Sequence, residues 1–159
     1  MFRNAIIAAA ATVLATSVLA EDVNVEMSVF EEVLEIDENG NEVAKLVAPE
    51  SVVPTDTVVY VVSMTNDGEE AAARLSFNVP VPEEVIVDPS SINAGPEASA
   101  VFATRDAPDV FGPLSELTVQ GEDGLERPAT ASDIGVVRVG LADLEPSDNV
   151  RVQYAATVR

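Results

Sequence analysis

The chain is 159 residues long, carries 28 Asp plus Glu against 8 Lys plus Arg for a net charge of −20, and has no His, Cys or Trp. Binding to phosphate backbones and to anionic membrane faces depends on clustered Lys and Arg, so this balance argues against both nucleic-acid and membrane-surface partners. Without Cys or His there is no disulfide, thiolate nucleophile, covalent haem or lipidated cysteine, and little to hold zinc, copper or iron; any catalysis would rest on carboxylates, hydroxyls, Lys45 or a few arginines.

The N-terminus has the order of a secretory signal peptide. Arg3 supplies the positive start, Ala5–Leu14 is largely apolar, and Ala15–Ala20 offers small side chains before the acidic Glu21-Asp22. The apolar run is shorter than the ~20 residues a spanning helix needs. Residues 1–20 are therefore expected to be removed on export, with no stable membrane insertion afterwards. They leave one domain over residues 21–159 in the periplasm or outside the cell.

Beyond the leader, Val23, Val25, Met27 and Val29 share one parity, whereas Phe30, Leu34 and Ile36 share the other. A strand does not switch faces without an extra residue, so the pattern predicts a bulge or break near Phe30–Glu32, or two short strands in different sheets. Asn39-Gly40 is a hairpin-turn signal because both residues tolerate positive φ, and Val43–Val47 returns as the second strand of a hairpin over residues 23–47. Strict alternation then marks Thr57–Thr65, Ala73–Val79 and Val150–Arg159 as half-buried strands, with Tyr60 and Tyr154 as core residues. Asn66-Asp67-Gly68 reads as the turn joining two antiparallel strands. Between them, Asp88–Leu125 has the weakest pattern; Ser99–Thr104 and Glu116–Val119 are its strand candidates. Valine dominates these segments, and Pro or Gly separates most of them. The fold class expected is all-β, an antiparallel sandwich.

One internal echo stands out. Pro54-Thr55-Asp56-Thr57-Val58 and Pro146-Ser147-Asp148-Asn149-Val150 follow one plan, and each leads into a strand bearing tyrosine. The echo reads as one device for entering a strand, used twice. Arg74, Arg138 and Arg151, on polar strand faces, are expected to pair with acidic neighbours at little gain each.

The acidic surplus admits calcium, which takes oxygen ligands. Glu31-Glu32, Asp37-Glu38 and Glu83-Glu84 are the tracts that could supply them, yet Asp37-Glu38-Asn39-Gly40-Asn41-Glu42 lacks the spacing of an EF-hand loop. No catalytic, cofactor-binding or metal-ligating residue is assigned.

The stretch from Pro54 to Gly68, with its Thr/Val strand, central Tyr60 and Asn66-x-Gly68, resembles the opening of the "conserved repeat" family of bacterial exported and surface proteins, a domain of unknown function. Phe77-Asn78-Val79-Pro80, Asp88-Pro89, Ala100–Asp106, Arg127-Pro128-Ala129, Val137-Arg138-Val139 and Leu144-Glu145-Pro146 extend the likeness over about residues 46–159. The family usually has Gly where Thr55 and Ser147 stand, and often Trp where Val139 stands. The resemblance implies an immunoglobulin-like sandwich and carries no catalytic residue across.

The function expected is that of an exported, non-enzymatic module of the cell envelope, monomeric or weakly oligomeric, with a structural, adhesive or accessory role toward an unidentified protein partner. A small calcium-binding or calcium-stabilised protein and a carboxylate-dependent hydrolase are the alternatives. The final strand, Asn149–Arg159, is the candidate for an open pairing edge. N-terminal sequencing of the exported protein is expected to return Glu21 as the first residue; an uncleaved Met1 would refute the leader.

Overall fold

A computed structural model describes residues 22–96 and 98–159; the expected leader, residues 1–20, lies outside them. Ten strands follow one another: β1 (Val23–Ile36), β2 (Glu42–Val47), β3 (Thr57–Asn66), β4 (Ala72–Pro80), β5 (Val85–Val87), β6 (Ala98–Thr104), β7 (Thr118–Gln120), β8 (Glu126–Pro128), β9 (Ile134–Leu144) and β10 (Asn149–Val158). Three short 3-10 turns interrupt them, and the described residues contain no α-helix. All pairings are antiparallel. A five-stranded sheet runs β2-β1-β3-β10-β5, a three-stranded sheet runs β4-β9-β6, and β7-β8 forms a separate ribbon. The two larger sheets share one core, consistent with the expected sandwich: Val58, Tyr60, Val62 and Met64 of β3 and Val152 and Tyr154 of β10 meet Phe77 and Val79 of β4 and Val137, Val139 and Leu141 of β9.

The first strand does not break. β1 is continuous, pairing with β3 through Val23–Glu31 and with β2 through Glu31–Ile36. Val23, Val25, Met27 and Val29 pack against the core, while Phe30, Leu34 and Ile36 keep their parity and face away from it. The backbone has no reason to switch because the β1–β2 arm extends past β3, where both faces meet solvent; Leu34 and Ile36 are each 66% exposed. The expected bulge near Phe30–Glu32, and the division between sheets, are both overturned. At the arm's tip only Gly40 takes positive φ, at 84°, and not Asn39. Asp37 holds this turn, its carboxylate accepting from the Asn39 and Asn41 amides at 2.8 Å each.

Asn66 does not end a hairpin either. β3 and β4 lie in different sheets, as do β9 and β10, so the chain crosses between layers at both points. The Asn66 side chain joins the crossings: Nδ2 donates to Leu144 O and Glu70 O at 2.8 Å each, and Oδ1 accepts from Gly68 N at 3.0 Å. With the side chain 1% exposed and every polar atom engaged, it is a buried polar group of the satisfied kind.

The echoed pentapeptides prove to be matching turns. Asp56 N donates to Val53 O and Asp148 N to Glu145 O, each at 3.1 Å, closing Val53-Pro54-Thr55-Asp56 and Glu145-Pro146-Ser147-Asp148. Thr55 has φ 81° and Ser147 φ 66°, the sign that the third position of a proline type II turn requires and that glycine meets without strain. Because β3 and β10 run antiparallel, each turn lies beside the far end of the other strand. Thr55 N donates to Val158 O at 2.8 Å and Val158 N to Asp56 O at 2.9 Å; Ser147 N donates to Asn66 O at 2.9 Å and Asn66 N to Asp148 O at 3.1 Å. The echo is thus a reciprocal clamp about a local two-fold between the two central strands.

β9, the middle strand of the smaller sheet, is not marked by periodicity because its parity shifts. Its pairing with β6 slips between Ala103 and Thr104, beside Gly135. A Cβ on Gly135 would fall 2.9 Å from the Arg105 Cα, so glycine allows the two backbones to close. Arg105 then donates to Val81 O at 2.9 Å and Pro82 O at 3.2 Å, tying the bulge to the segment leaving β4. Sequence reading also passed over β5 and β8, three residues each, and placed the start of β7 where a 3-10 turn, Leu114–Glu116, stands instead.

A left-handed non-glycine residue costs about 1–2 kcal/mol, part of which glycine returns as unfolded-chain entropy. Thr55→Gly and Ser147→Gly are expected to stabilise the protein by roughly 0.5–1 kcal/mol each in urea unfolding at unchanged m-value. Asn66→Ala, which strands the buried Leu144 carbonyl and removes the part-buried bonds to Glu70 O and Gly68 N, is expected to destabilise it by about 2 kcal/mol.

Candidate functional site

The residues singled out by charge do not converge. Glu31 and Glu32 are consecutive on β1 and face opposite sides of the sheet. The Asp37 carboxylate is occupied by the turn's own amides, which hold its pKa below the ordinary aspartate range. Glu83 and Glu84 lie exposed between β4 and β5. Among the described residues no three acidic side chains come together as a metal-holding group.

The arginines do something other than expected. Arg138 lays its guanidinium over the Phe111 ring, 3.4 Å from the centroid, while its Nε donates to Asn78 Oδ1 at 2.8 Å. Neither it, Arg74 nor Arg151 forms an ion pair with a described carboxylate. The described pairs are Lys45–Glu35, solvated on the β1–β2 arm, and Arg127–Asp133. Sequence reading missed the second pair. Arg127 donates from both terminal nitrogens to Asp133 at 2.8 Å, and Asp133 also accepts from Thr130 N and Oγ1, closing a capping box over Ala131–Asp133. The Arg127 hydrogen bonds, helped by those of Thr130 and opposed by partial burial, hold the Asp133 carboxyl far below the usual carboxylate range. The Thr130-x-x-Asp133 spacing was the available signal.

Tyr60 and Tyr154 are opposed on β3 and β10 and stack with centroids 5.2 Å apart at 11°. Burial raises both phenol pKa values, more strongly for Tyr154. The pair belongs to the core and offers no exposed aromatic face.

The surface that departs from expectation is the outer face of the five-stranded sheet. Phe30 lies opposite Val59, Val59 opposite Ala155, and Val61 opposite Gln153, all directed away from the core. Leu46 and Ala44 continue the row onto β2. Val61 is only 4% exposed although it lies on the outer side. Between the β1–β2 arm and the Pro89–Ser91 turn, this face forms an open concavity of about 330 Å³, floored by Val59 and bordered by Glu32, Leu46, Ser91 and Gln153. It brings one acid, Glu32, together with the Ser91 hydroxyl, the Gln153 amide and apolar side chains, whereas carboxylate-pair hydrolysis needs two facing acids. A signal was present in Val58-Val59-Tyr60-Val61-Val62: an apolar run of both parities marks a strand covered on both sides.

No protein-family model matches the chain, and no curated protein or solved structure is detectably similar to it.

The depressed Asp133 pKa sets the sign of a pH effect. Its contribution is complete above the unfolded value of about 4 and is lost as pH falls toward the lower native value. Asp133→Asn is expected to destabilise the protein by about 1 kcal/mol at pH 7, a figure kept small because Arg127 stays solvated. In urea melts the gap between variant and parent is expected to close below pH 4.

Proposed function

We propose that this chain is an exported, non-enzymatic module of the bacterial cell envelope, immunoglobulin-like in fold, that acts by surface contact as a structural, adhesive or accessory unit. The observation that carries the reading is the open concavity on the side of the sheet opposite the core, where half-buried Leu46 and Ala155 border the buried Val59. A sheet needs one apolar face to fold; a second beside a shallow hollow supports contact with another surface. Membership of the conserved-repeat family is part of the proposal. It is supported by positive φ at Thr55 and Ser147, the two positions where that family usually has glycine. The leader-like Met1–Ala20 supports export, and the charge of −20 supports a protein that stays dispersed until it meets its partner.

Crosslinking in intact cells, with the tagged chain resolved on a denaturing gel, tests the proposal. A defined heavy band is expected from the parent. The band should be lost in Leu46→Lys, a half-buried outward position where the new charge faces Glu32 across the strands and the melting temperature is expected to change little. A lone monomer band from the parent would overturn the proposal.

A further inference from the structure

The five-stranded sheet has an unfinished edge. β1 pairs with β3 along Val23–Glu31, but its other side meets β2 only from Glu31 onward. Among the described residues nothing pairs with the second edge of Val23–Phe30, which leaves eight residues of extended backbone with every other amide and carbonyl directed outward.

The other edges of the two larger sheets are closed or blunted, save the outer edge of β2, which is six residues long with Lys45 near its middle. β10, the edge expected from sequence, is interior: it lies between β3 and β5, and Asn93 continues the cover by exchanging both backbone hydrogen bonds with Gln153 at 2.8 and 2.9 Å. β6 is met by Gly112 opposite Phe102. β4 is distorted at Arg74, φ 55°, and ends in Pro80. β5 is three residues long. The open part of β1 has no proline, glycine or lysine, and Glu26 is its single charge.

The side chains along this edge define what fits. Val25, Met27 and Val29 face the core side but remain half-buried, because β1 overhangs the narrower sheet. Asn24, Glu26 and Ser28 face outward and are exposed. β1 carries Glu26, Glu31, Glu32 and Glu35 and no cation. A strand added here would set apolar side chains beside Val25 and Met27 and alternate ones beside Glu26. A second copy in antiparallel register would bring Glu26 against the partner's acidic edge, where like charges repel.

We propose that Val23–Phe30 is a strand-docking edge whose occupant is an extended segment of a partner protein with apolar and cationic residues in alternation. This rests on the contact-module reading above and names the chemistry of the contact.

The test uses the full chain as produced and a synthetic ten-residue peptide alternating Val and Lys. Hydrogen exchange is expected to show alternate amides of Val23–Phe30 gaining protection as peptide is added. Glu26→Lys, at an exposed position, should weaken binding at least tenfold, and a Val/Glu peptide should bind that variant better than the parent. Glu42→Lys at the arm's tip, an equal change of charge, should alter binding less than threefold. Equal losses from Glu26→Lys and Glu42→Lys, or protection away from β1, would show adsorption to an acidic surface and overturn the proposal. Protection of these amides before peptide is added would assign the edge to the chain's own N-terminal segment or to a second copy, and would also overturn it. The two readings fail separately: a heavy band in cells without a β1 footprint removes the edge alone, and a β1 footprint without a heavy band removes the module alone.

Discussion

The pairing of β3 with β10 is the constraint on which the rest of the molecule depends. These two strands form the middle of the larger sheet, contribute the stacked tyrosines to the core, and receive β1 and β5 on their outer edges. Both ends of the pair are fixed by a proline turn that hydrogen-bonds to the opposite strand. Asn66 then connects one of those ends to the crossings into the second sheet. Each turn holds a residue in a conformation it disfavours, and only a clamp closed at both ends keeps Thr55 and Ser147 there.

Around this centre the molecule is asymmetric. The β10 side is finished by β5, the Pro89–Ser91 turn and Asn93, whereas the β1 side runs out into a two-stranded arm. Exposed acids stand at both ends, Glu83 and Glu84 beside β5 as well as Glu26, Glu32 and Glu42 on the β1–β2 side. Open backbone and half-buried apolar side chains, by contrast, gather at the β1 end of the larger sheet. That coincidence gives the proposed contact its direction.

Legibility in the sequence followed the number of covered faces. Strands with one wet and one dry face, β4 and β10, alternate cleanly and were read nearly to their ends, and β3 was read as well although Val59 and Val61 bury its outer face too. β9 escaped because the bulge beside Gly135 moves its apolar positions from Ile134 to the parity of Val137, Val139 and Leu141. β1 misled for the opposite reason: its outward apolar residues look like a change of face, yet they mark an arm with solvent on both sides. Local signals were read correctly as turns but not as to what they join. Asn66-Asp67-Gly68 turns the chain between layers, a distinction set by Leu144, far along the sequence. The outer apolar row was visible as a run of both parities in Val58–Val62, but nothing local tells whether a second element or solvent lies over it.

The order of strands has a consequence for how the chain reaches this state. Adjacent strands in sequence pair only in the β1–β2 arm and the β7–β8 ribbon; elsewhere partners are distant, and Thr65 and Asn149, at one end of the central pair, are 84 residues apart. A polypeptide delivered N-terminus first cannot form its own middle until β10 arrives. Closing so long a loop before any core exists makes folding slow, with β3 waiting as an unpaired apolar strand. The repulsion among many carboxylates during that interval keeps such chains apart, so the same charge that shapes the native surface protects the unfinished one.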